Sequence, residues 1–238
     1  MNAKFKDLKN KNIVITGGNG FIGKQLCNAF LDQGSKVFIL DIKKPKLKNK
    51  LIFFKTDITK ENDLKKFLAF LKKRKIRIDV LINGAAKDYV PTKKNPNKEK
   101  LSLENFSEKV WKEDLDVGLK GSFLTTKILG SYMAKSKNNG VILNISSDLG
   151  IIAPNQDIYK ETSFIKPVSY SVVKHGIIGL TKYTASYWAK KNIRCNAIAP
   201  GGIFNNQNSS FVKKINQLIP LGRMAKKNEY NGLILFLC

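Results

Sequence analysis

The sequence predicts a single α/β domain with a doubly wound parallel sheet, and two observations support this prediction. Short apolar runs of the kind that form buried parallel strands recur along the 238 residues, at 12–16, 37–40, 51–54, 80–82, 141–145 and 193–198. Most of these runs are separated by segments whose apolar residues have helical spacing. Such sheets bind ligands outside the carboxyl ends of their strands, so the residues that follow each run are the candidates for function.

The composition is that of a folded protein with an excess of lysine. Hydrophobic residues make up 42% of the chain and charged residues 26%, which argues against disorder. The formal net charge of +25 could mark a nucleic-acid-binding surface, but the lysines are scattered and aromatic residues do not interleave with the basic runs. Lysine, asparagine and isoleucine have AT-rich codons, so genome base composition explains the excess without a nucleic-acid partner.

The chain contains no signal for a membrane span, for export or for a metal site. It has no apolar run of about 18 residues, and residues 1–12 lack the apolar segment of a signal peptide. The cysteines Cys27, Cys195 and Cys238 are widely spaced, which supports neither a disulfide framework nor a zinc site. We therefore expect a cytoplasmic protein that holds no metal ion.

The first strand runs directly into a glycine-rich turn and then into a helical pattern. Glycines at 17, 20 and 23 permit a tight turn, close approach of the backbone to a pyrophosphate and close packing of the helix on the strand. The amino terminus of the helix would face the phosphates. The residues expected to bind a dinucleotide in this turn are Gly17, Asn19, Gly20, Phe21, Ile22 and Gly23.

Asp41 ends the second strand, 18 residues beyond Gly23. Its carboxylate would accept hydrogen bonds from the adenosine ribose hydroxyls and would repel a 2′-phosphate, which favours NAD over NADP. Lys43 and Lys44 leave the alternative open, because either could pair with a 2′-phosphate if the loop curled back.

Helices and mouth loops fill the rest of the chain. One helix is expected from about Lys60 to Lys73, and two short helices at 211–218 and from 229 onward. Proline-containing loops at 87–105 and 148–169 would lie at the mouth of the site, the second as a substrate wall. The lysines of the first loop either meet an anionic substrate or are simply solvated: Lys93, Lys94, Lys98 and Lys100. A longer helix, from about Trp111 to Lys135, is predicted to turn five apolar residues inward: Leu115, Leu119, Phe123, Ile128 and Met133.

The candidate catalytic residues are Ser147, Tyr170 and Lys174. Ser147 follows a buried strand, and 23 residues later Tyr170 and Lys174 lie one turn apart at the start of a helix. The ammonium would favour the charged form of the phenol and lower its pKa, so the tyrosine could give or take a proton at a carbon that bears oxygen. The Ser147 hydroxyl would hydrogen-bond that oxygen.

The spacing of Tyr170 and Lys174 is not distinctive on its own, because Tyr-x-x-x-Lys occurs three times in this chain. Tyr89 lies in a proline-containing loop and Tyr187 late in the helix, so both are expected at the surface or in packing. Asp148 could contact substrate, whereas His175 follows Lys174 directly and points elsewhere on the helix.

These motifs, in this order, resemble the short-chain dehydrogenase/reductase family from about residue 10 to the last residue. The resemblance implies a Rossmann-type fold and an oxidoreductase that transfers a hydride between NAD(P) and an alcohol or ketone carbon. It also implies that Tyr170 is the acid-base, that Ser147 holds the substrate oxygen, and that Lys174 tunes the tyrosine and binds the nicotinamide ribose. The residues on which the resemblance is based are Thr16, Gly17, Gly20, Gly23, Asp57, Ile58, Asn83, Ser147, Tyr170, Lys174, Pro200 and Gly201.

Further implications of the resemblance concern cofactor contacts and assembly. Asp57 and Ile58 are expected beside the adenine, Asn83 on the cofactor side of its strand, and Ile203 beside the nicotinamide. Family members are homo-oligomers, so a dimer or tetramer is expected.

The chain departs from the family pattern at three places. Phe21 stands where single-domain members have glycine, and Gly118 stands where the family has a catalytic asparagine. That asparagine acts largely through its backbone carbonyl, so a glycine can still serve. The chain ends at Cys238, where relatives continue with another strand, so we expect one domain over residues 1–238 with its C-terminal strand missing.

The segments 147–154, 166–176 and 220–224 resemble the subgroup encoded with flagellin-modification and surface-sugar pathways. This resemblance implies a sugar or sugar-phosphate alcohol, which could be anionic, as the substrate. Two rival functions are kept: a cofactor-binding regulatory or scaffold protein without catalysis, and a nucleic-acid-binding protein.

Overall fold

The computed structural model describes residues 4–45, 51–87, 98–136, 139–160, 162 and 164–238. Its sheet has the strand order β3-β2-β1-β4-β5-β6, and every pair of neighbours is parallel. The direction of winding reverses between β1 and β4, which confirms the predicted doubly wound sheet and locates its switch point. The strands are β1 (Asn12–Thr16), β2 (Lys36–Asp41), β3 (Leu51–Lys55), β4 (Val80–Asn83), β5 (Gly140–Ile145) and β6 (Ile193–Ile198).

The helices cover both faces of the sheet. Those that follow the first and third strands are α1 (Phe21–Asp32) and α2 (Glu61–Lys73). A long helix comprises α3 (Glu108–Leu115), α4 (Gly121–Thr125) and α5 (Ser131–Lys135), which are joined by π-helical segments at Asp116–Lys120 and Thr126–Gly130. The remaining helices are α6 (Val168–Tyr187), α7 (Ser209–Leu218) and α8 (Asn231–Leu237).

Two apolar layers hold the helices on the sheet. Ile13 and Ile15 of β1 lie in a cluster with residues of α1 and α8, whereas Val14 lies in the opposite cluster with residues of α2 and the long helix. Successive side chains of a strand point to opposite faces, so a strand covered on both sides must be apolar throughout. Each such fully buried side chain stabilises the fold by about 1.5–3 kcal/mol.

One residue of the long helix that is predicted to face the core is exposed instead. Met133 is buried as predicted, but the Phe123 side chain is 48% exposed. The π-helical segment before Phe123 contains an extra residue in its turn, so the spacing of an ordinary α-helix no longer identifies the buried face. Among the residues that the structure describes, no helix combines the length and apolar character needed to cross a membrane.

Candidate active site

β5 and α6 bring the three candidate catalytic residues to one pocket. Ser147 lies just beyond the carboxyl end of β5, and Tyr170 lies in the first turn of α6, which begins at Val168. Lys174 follows one turn later, with its Nζ 5.6 Å from the centroid of the Tyr170 ring. All three side chains line a cavity of about 430 Å³, at the edge of the sheet that the sequence predicts.

Lys174 is fixed by contacts to β5 and to the loop that follows it. Its Nζ donates a hydrogen bond to the Ile145 carbonyl at 2.9 Å, and its own carbonyl accepts one from Ser146 Oγ at 2.8 Å. Burial of a lysine is expensive unless the ammonium is hydrogen-bonded. These contacts therefore hold the Lys174 ammonium in a fixed position beside the Tyr170 phenol.

The Ser147 hydroxyl has a carboxylate partner next to it in the chain. Ser147 Oγ donates to Asp148 Oδ1 at 2.7 Å, and the Leu149 N–H donates to the same Oδ1 at 2.8 Å. The Leu149 N–H also lies 3.2 Å from Ser147 Oγ. The strand end therefore presents a serine hydroxyl and a carboxylate side by side.

Lys166 is a site residue that the sequence did not reveal. Its Nζ lies 3.6 Å from the centroid of the Tyr170 ring, and its side chain lines the same cavity. Within the described part of the chain, Lys166 and Lys174 are the two buried lysines. The Gln156 side-chain amide fixes the Lys166 backbone with two hydrogen bonds, at 3.0 and 3.2 Å. No spacing rule predicts this contact, because Pro167 separates Lys166 from the helix.

The glycine turn has the shape of a dinucleotide cradle. Gly17 has a φ of +68°, in the left-handed region that favours glycine. A Cβ atom at position 23 would lie 2.8 Å from Gly18 Cα and closer still to the Gly17 carbonyl oxygen, so only glycine lets α1 begin this close to β1. Five of the predicted turn residues line the cavity: Gly17, Gly20, Phe21, Ile22 and Gly23. These residues fit a bound dinucleotide.

Asp41 lies at the end of β2, beside this turn. Its Oδ2 accepts a hydrogen bond from the Asn19 N–H at 3.0 Å, and its Oδ1 accepts one from the Lys43 N–H at 3.0 Å. An ionised carboxylate has about four acceptor positions, so Asp41 retains capacity for ribose hydroxyls. The carboxylate also links the turn to the loop that contains Lys43.

The side chains of three further predicted cofactor contacts, Asp57, Ile58 and Asn83, make contacts within the protein. Asp57 lies at the end of β3, where its Oδ1 accepts hydrogen bonds from the Thr59 hydroxyl at 2.7 Å and the Thr59 N–H at 3.0 Å. Burial alone would raise the pKa of Asp57, but these bonds and the Lys60 ammonium outweigh it and hold the pKa below its usual value. Ile58 is buried in the apolar cluster of the α2 layer.

Asn83, the third of these residues, belongs to a buried polar network. Its Nδ2 donates to Asn144 Oδ1 at 2.8 Å and to Thr126 Oγ1 at 3.0 Å. Asn144 in turn donates to Thr181 Oγ1 at 2.8 Å. The network ties the ends of β4 and β5 to the flanking helices, and the roles of Asp57, Ile58 and Asn83 as cofactor contacts stay predictions.

The loop between Ser147 and Tyr170 forms one wall of the cavity, as predicted. Its turns at Asp148–Gly150 and Gln156–Tyr159 place apolar side chains opposite α7. Ile203, the predicted nicotinamide contact, lines the cavity near this wall. The predicted loop residues Tyr89, Lys93 and Lys94 lie outside the described residues. The apolar wall is formed by Ile152, Ala153, Pro154, Ile158, Tyr159, Phe211, Ile215, Leu218, Ile219 and Met224.

Gly118 lies in the first π-helical segment, directly against α6. A Cβ atom at this position would lie 2.5 Å from Val173 Cγ1, so packing of the two helices requires glycine. The Gly118 carbonyl accepts a hydrogen bond from Ser122 Oγ at 2.9 Å. A carbonyl oxygen has a second lone pair, and Gly118, Tyr170 and Lys174 border one small cavity. Gly118 therefore lies beside the tyrosine and the lysine even though the asparagine side chain is absent.

Other sequence candidates lie away from this chemistry. His175 is exposed, and its Nδ1 lies 2.9 Å from the Ser171 carbonyl oxygen. Tyr187 is at the surface, 66% exposed, as predicted. The cysteines are unbridged, and burial raises the pKa of Cys27 to about 12. No cluster of His, Cys, Asp or Glu suited to a metal ion occurs within the residues that the structure describes.

Comparison with known proteins agrees with this geometry. The family model for short chain dehydrogenases matches residues 11–216. The chain is 30% identical to an NAD-dependent glycerol dehydrogenase of Listeria innocua, over 97% of this chain and 87% of that protein. It is 32% identical to a 3-oxoacyl-[acyl-carrier-protein] reductase of Thermotoga maritima, over 97% and 91% of the two chains.

Two further similarities are to a flagellin modification protein and to a solved structure. A post-translational flagellin modification protein A of Campylobacter coli is 28% identical, over 97% of this chain and 91% of that protein. The crystal structure of a short chain dehydrogenase from Leptospira borgpetersenii with bound NAD+ superposes with a TM-score of 0.88. It is 32% identical and covers 100% of this chain and 89% of its own. The chain thus belongs to the short chain dehydrogenase family and is an oxidoreductase.

Proposed function

We propose that this enzyme transfers a hydride between NAD(H) and a secondary alcohol or ketone of a sugar or sugar phosphate. The proposal places the reaction in the cytoplasm, in surface-glycan or flagellin-glycan biosynthesis. The observation that carries it is the convergence of Ser147, Tyr170 and Lys174 on one cavity beside the glycine turn.

The proposed roles follow from the chemistry of these side chains. Bound NAD would supply the hydride acceptor, and reduced NAD the donor. In the oxidation direction the phenolate of Tyr170 takes the hydroxyl proton while Ser147 holds the same oxygen. The Lys174 ammonium, 5.6 Å from the ring centroid, favours the phenolate. In the reduction direction the neutral phenol returns the proton to the carbonyl oxygen.

A sugar substrate is supported by the polar groups around the reacting position. Asp148 and Lys166 line the cavity together with Ser147 and Tyr170. Hydroxyl-rich ligands need such donors and acceptors, because a buried hydroxyl without a partner is costly. The relatives named as glycerol dehydrogenase and flagellin modification protein are consistent with this class of substrate.

Asp41 supports a preference for NADH over NADPH. Its carboxylate lies at the carboxyl end of β2, hydrogen-bonded to the glycine turn through the Asn19 N–H. A 2′-phosphate placed beside it would meet like charge, whereas ribose hydroxyls could donate to it. We also propose a single domain that assembles as a homo-oligomer, in keeping with its family.

The Tyr170→Phe variant tests the proposed chemistry. We expect its turnover of secondary alcohols with NAD+ to fall by about 10²- to 10⁴-fold, because the proton acceptor is lost. Nicotinamide fluorescence and thermal stability with NADH should stay close to wild type, and wild type should bind NADH more tightly than NADPH. Tyr187→Phe is the matched control, since it alters an exposed tyrosine of the same helix.

The same experiment separates the rival functions. Undiminished turnover by Tyr170→Phe would overturn the role of the tyrosine. NADH binding by the wild type without turnover of any sugar alcohol would favour a regulatory or scaffold protein. If the folded protein failed to bind NADH, the glycine turn would not be a cofactor-binding site.

A further inference from the structure

Asp148 is the one acidic residue among the described residues that line the cavity. Among the described residues that line the cavity, the charged ones are Asp148, Lys166 and Lys174. Both lysines lie beside Tyr170, at 3.6 and 5.6 Å from its ring centroid. Asp148 lies instead on the Ser147 side, so the two sides of the reacting position differ in charge.

The two carboxylate oxygens of Asp148 have different surroundings. Oδ1 accepts hydrogen bonds from Ser147 Oγ at 2.7 Å and from the Leu149 N–H at 2.8 Å. Oδ2 accepts none from the part of the chain that the structure describes. It lies beside the turn after β6, where a Cβ atom on Gly201 would be 3.5 Å away. The side chain is thus held through one oxygen, and the other lies beside Gly201, which lines the same cavity.

From this arrangement we infer that Asp148 binds a substrate hydroxyl on the carbon next to the reacting carbon. The inference rests on the proposed function, in which Ser147 holds the reacting oxygen. Asp148 Oδ1 lies 2.7 Å from Ser147 Oγ, and Oδ2 belongs to the same carboxylate. Oxygens on neighbouring carbons of a diol are separated by a similar distance. A vicinal diol can therefore place one oxygen on Ser147, which turns its single hydrogen from Asp148 Oδ1 toward that oxygen, and the other hydroxyl of the diol then donates to Asp148 in its place.

The charge of Asp148 decides which group it selects. An ionised carboxylate only accepts hydrogen bonds, and bonds to charged groups are stronger than neutral ones. An alcohol without the neighbouring hydroxyl would leave Oδ2 desolvated and without a donor, which is costly. Asp148 is thus a specificity-determining residue that favours vicinal diols and their hydroxyketone products over simple secondary alcohols.

The Asp148→Asn variant tests this inference with a matched pair of alcohols. Purified enzyme with NAD+ would be assayed with the stereoisomers of 2,3-butanediol and with both enantiomers of 2-butanol, which lacks the second hydroxyl. The amide oxygen of asparagine can keep the bonds from Ser147 and Leu149, which leaves an NH2 donor where Oδ2 was. We expect wild-type kcat/KM to favour the diol, and the diol-to-butanol ratio to fall about tenfold or more in the variant.

Controls and contrary outcomes separate this inference from the proposed function. Asp157→Asn makes the same change in the same loop at a side chain that is 73% exposed, and it should leave the ratio unchanged. Equal losses on diol and butanol would show that Asp148 acts only by orienting Ser147, and would overturn the inference while the proposed function stands. Wild-type enzyme that oxidises sugar alcohols but neither of these two alcohols would overturn the inference, because a vicinal diol would then not be the feature that is recognised. Wild-type enzyme that binds NADH but oxidises no sugar alcohol would contradict the proposed function itself.

Discussion

At the scale of residues, Tyr170 is flanked by two buried ammonium groups. Lys174 reaches it from the next turn of α6, whereas Lys166 lies on the ring face from a segment that precedes the helix. Asp114 of the long helix and Lys87 of the loop after β4 line a small cavity together with Tyr170. A cation over the face of a tyrosine is attracted by the ring and also favours the negative phenolate.

We expect Lys166→Met to slow alcohol oxidation by about tenfold at neutral pH, because loss of a nearby charge disfavours the phenolate. The rise of kcat/KM with pH should move to higher pH, since a more alkaline solution is then needed to ionise Tyr170. Steady-state rates measured across pH check this prediction. Lys166→Arg keeps the charge and can stack on the ring, so it should restore most of the activity. An unchanged pH profile in Lys166→Met would show that the lysine only packs against the tyrosine.

At the scale of elements, the contact between the long helix and α6 depends on glycine. Gly118 and Gly176 each face a side chain of the other helix, Val173 and Leu119 respectively, within 3 Å of where a Cβ atom would lie. Because Val173 precedes Lys174 in the chain, this contact also sets the position of the catalytic helix.

Gly118→Ala is therefore expected to destabilise the protein by about 1–3 kcal/mol, because the new methyl group meets a stiff valine side chain. In a Val173→Ala background the same substitution should cost less, since the clashing methyl group is gone. Urea denaturation of the wild type, both single variants and the double variant gives the coupling energy. Strictly additive effects would contradict the packing argument.

At the scale of the whole molecule, the charge of +25 is the most conspicuous property. Within the described part of the chain the buried lysines are Lys166 and Lys174, and the others lie at least partly in solvent. Several make exposed ion pairs, such as Lys65 with Glu61 at 2.8 Å, which contribute little to stability. The surface charge thus acts mainly through long-range attraction of anions, which salt screens.

This gives a prediction that separates surface charge from the cofactor site. DNA binding should be non-specific, with a Kd of about 10⁻⁶ M or weaker at physiological salt, and should weaken steeply as salt is raised from about 50 to 200 mM. NADH binding should change by less than about tenfold over the same range, because buried contacts are screened much less. Fluorescence titrations with NADH and with a labelled duplex check both. Tight, sequence-specific DNA binding would revive the nucleic-acid-binding alternative.

The sequence by itself determined the doubly wound sheet, the glycine turn at Gly17, and the pairing of Tyr170 with Lys174. These features depend on local periodicity and on backbone conformations that only glycine adopts easily, so they can be read along the chain. The acidic end of β2 at Asp41 was predictable for the same reason.

Only the tertiary structure decided the other features of the site. Lys166 reaches Tyr170 across a proline, Gly118 is required by a valine 55 residues away, and Asn83 is hydrogen-bonded to partners on β5 and the long helix. Phe123 points outward because a π-helical segment changes the spacing before it. Each of these depends on which distant segments pack together, and that is determined by burial of the whole core, which local patterns do not encode.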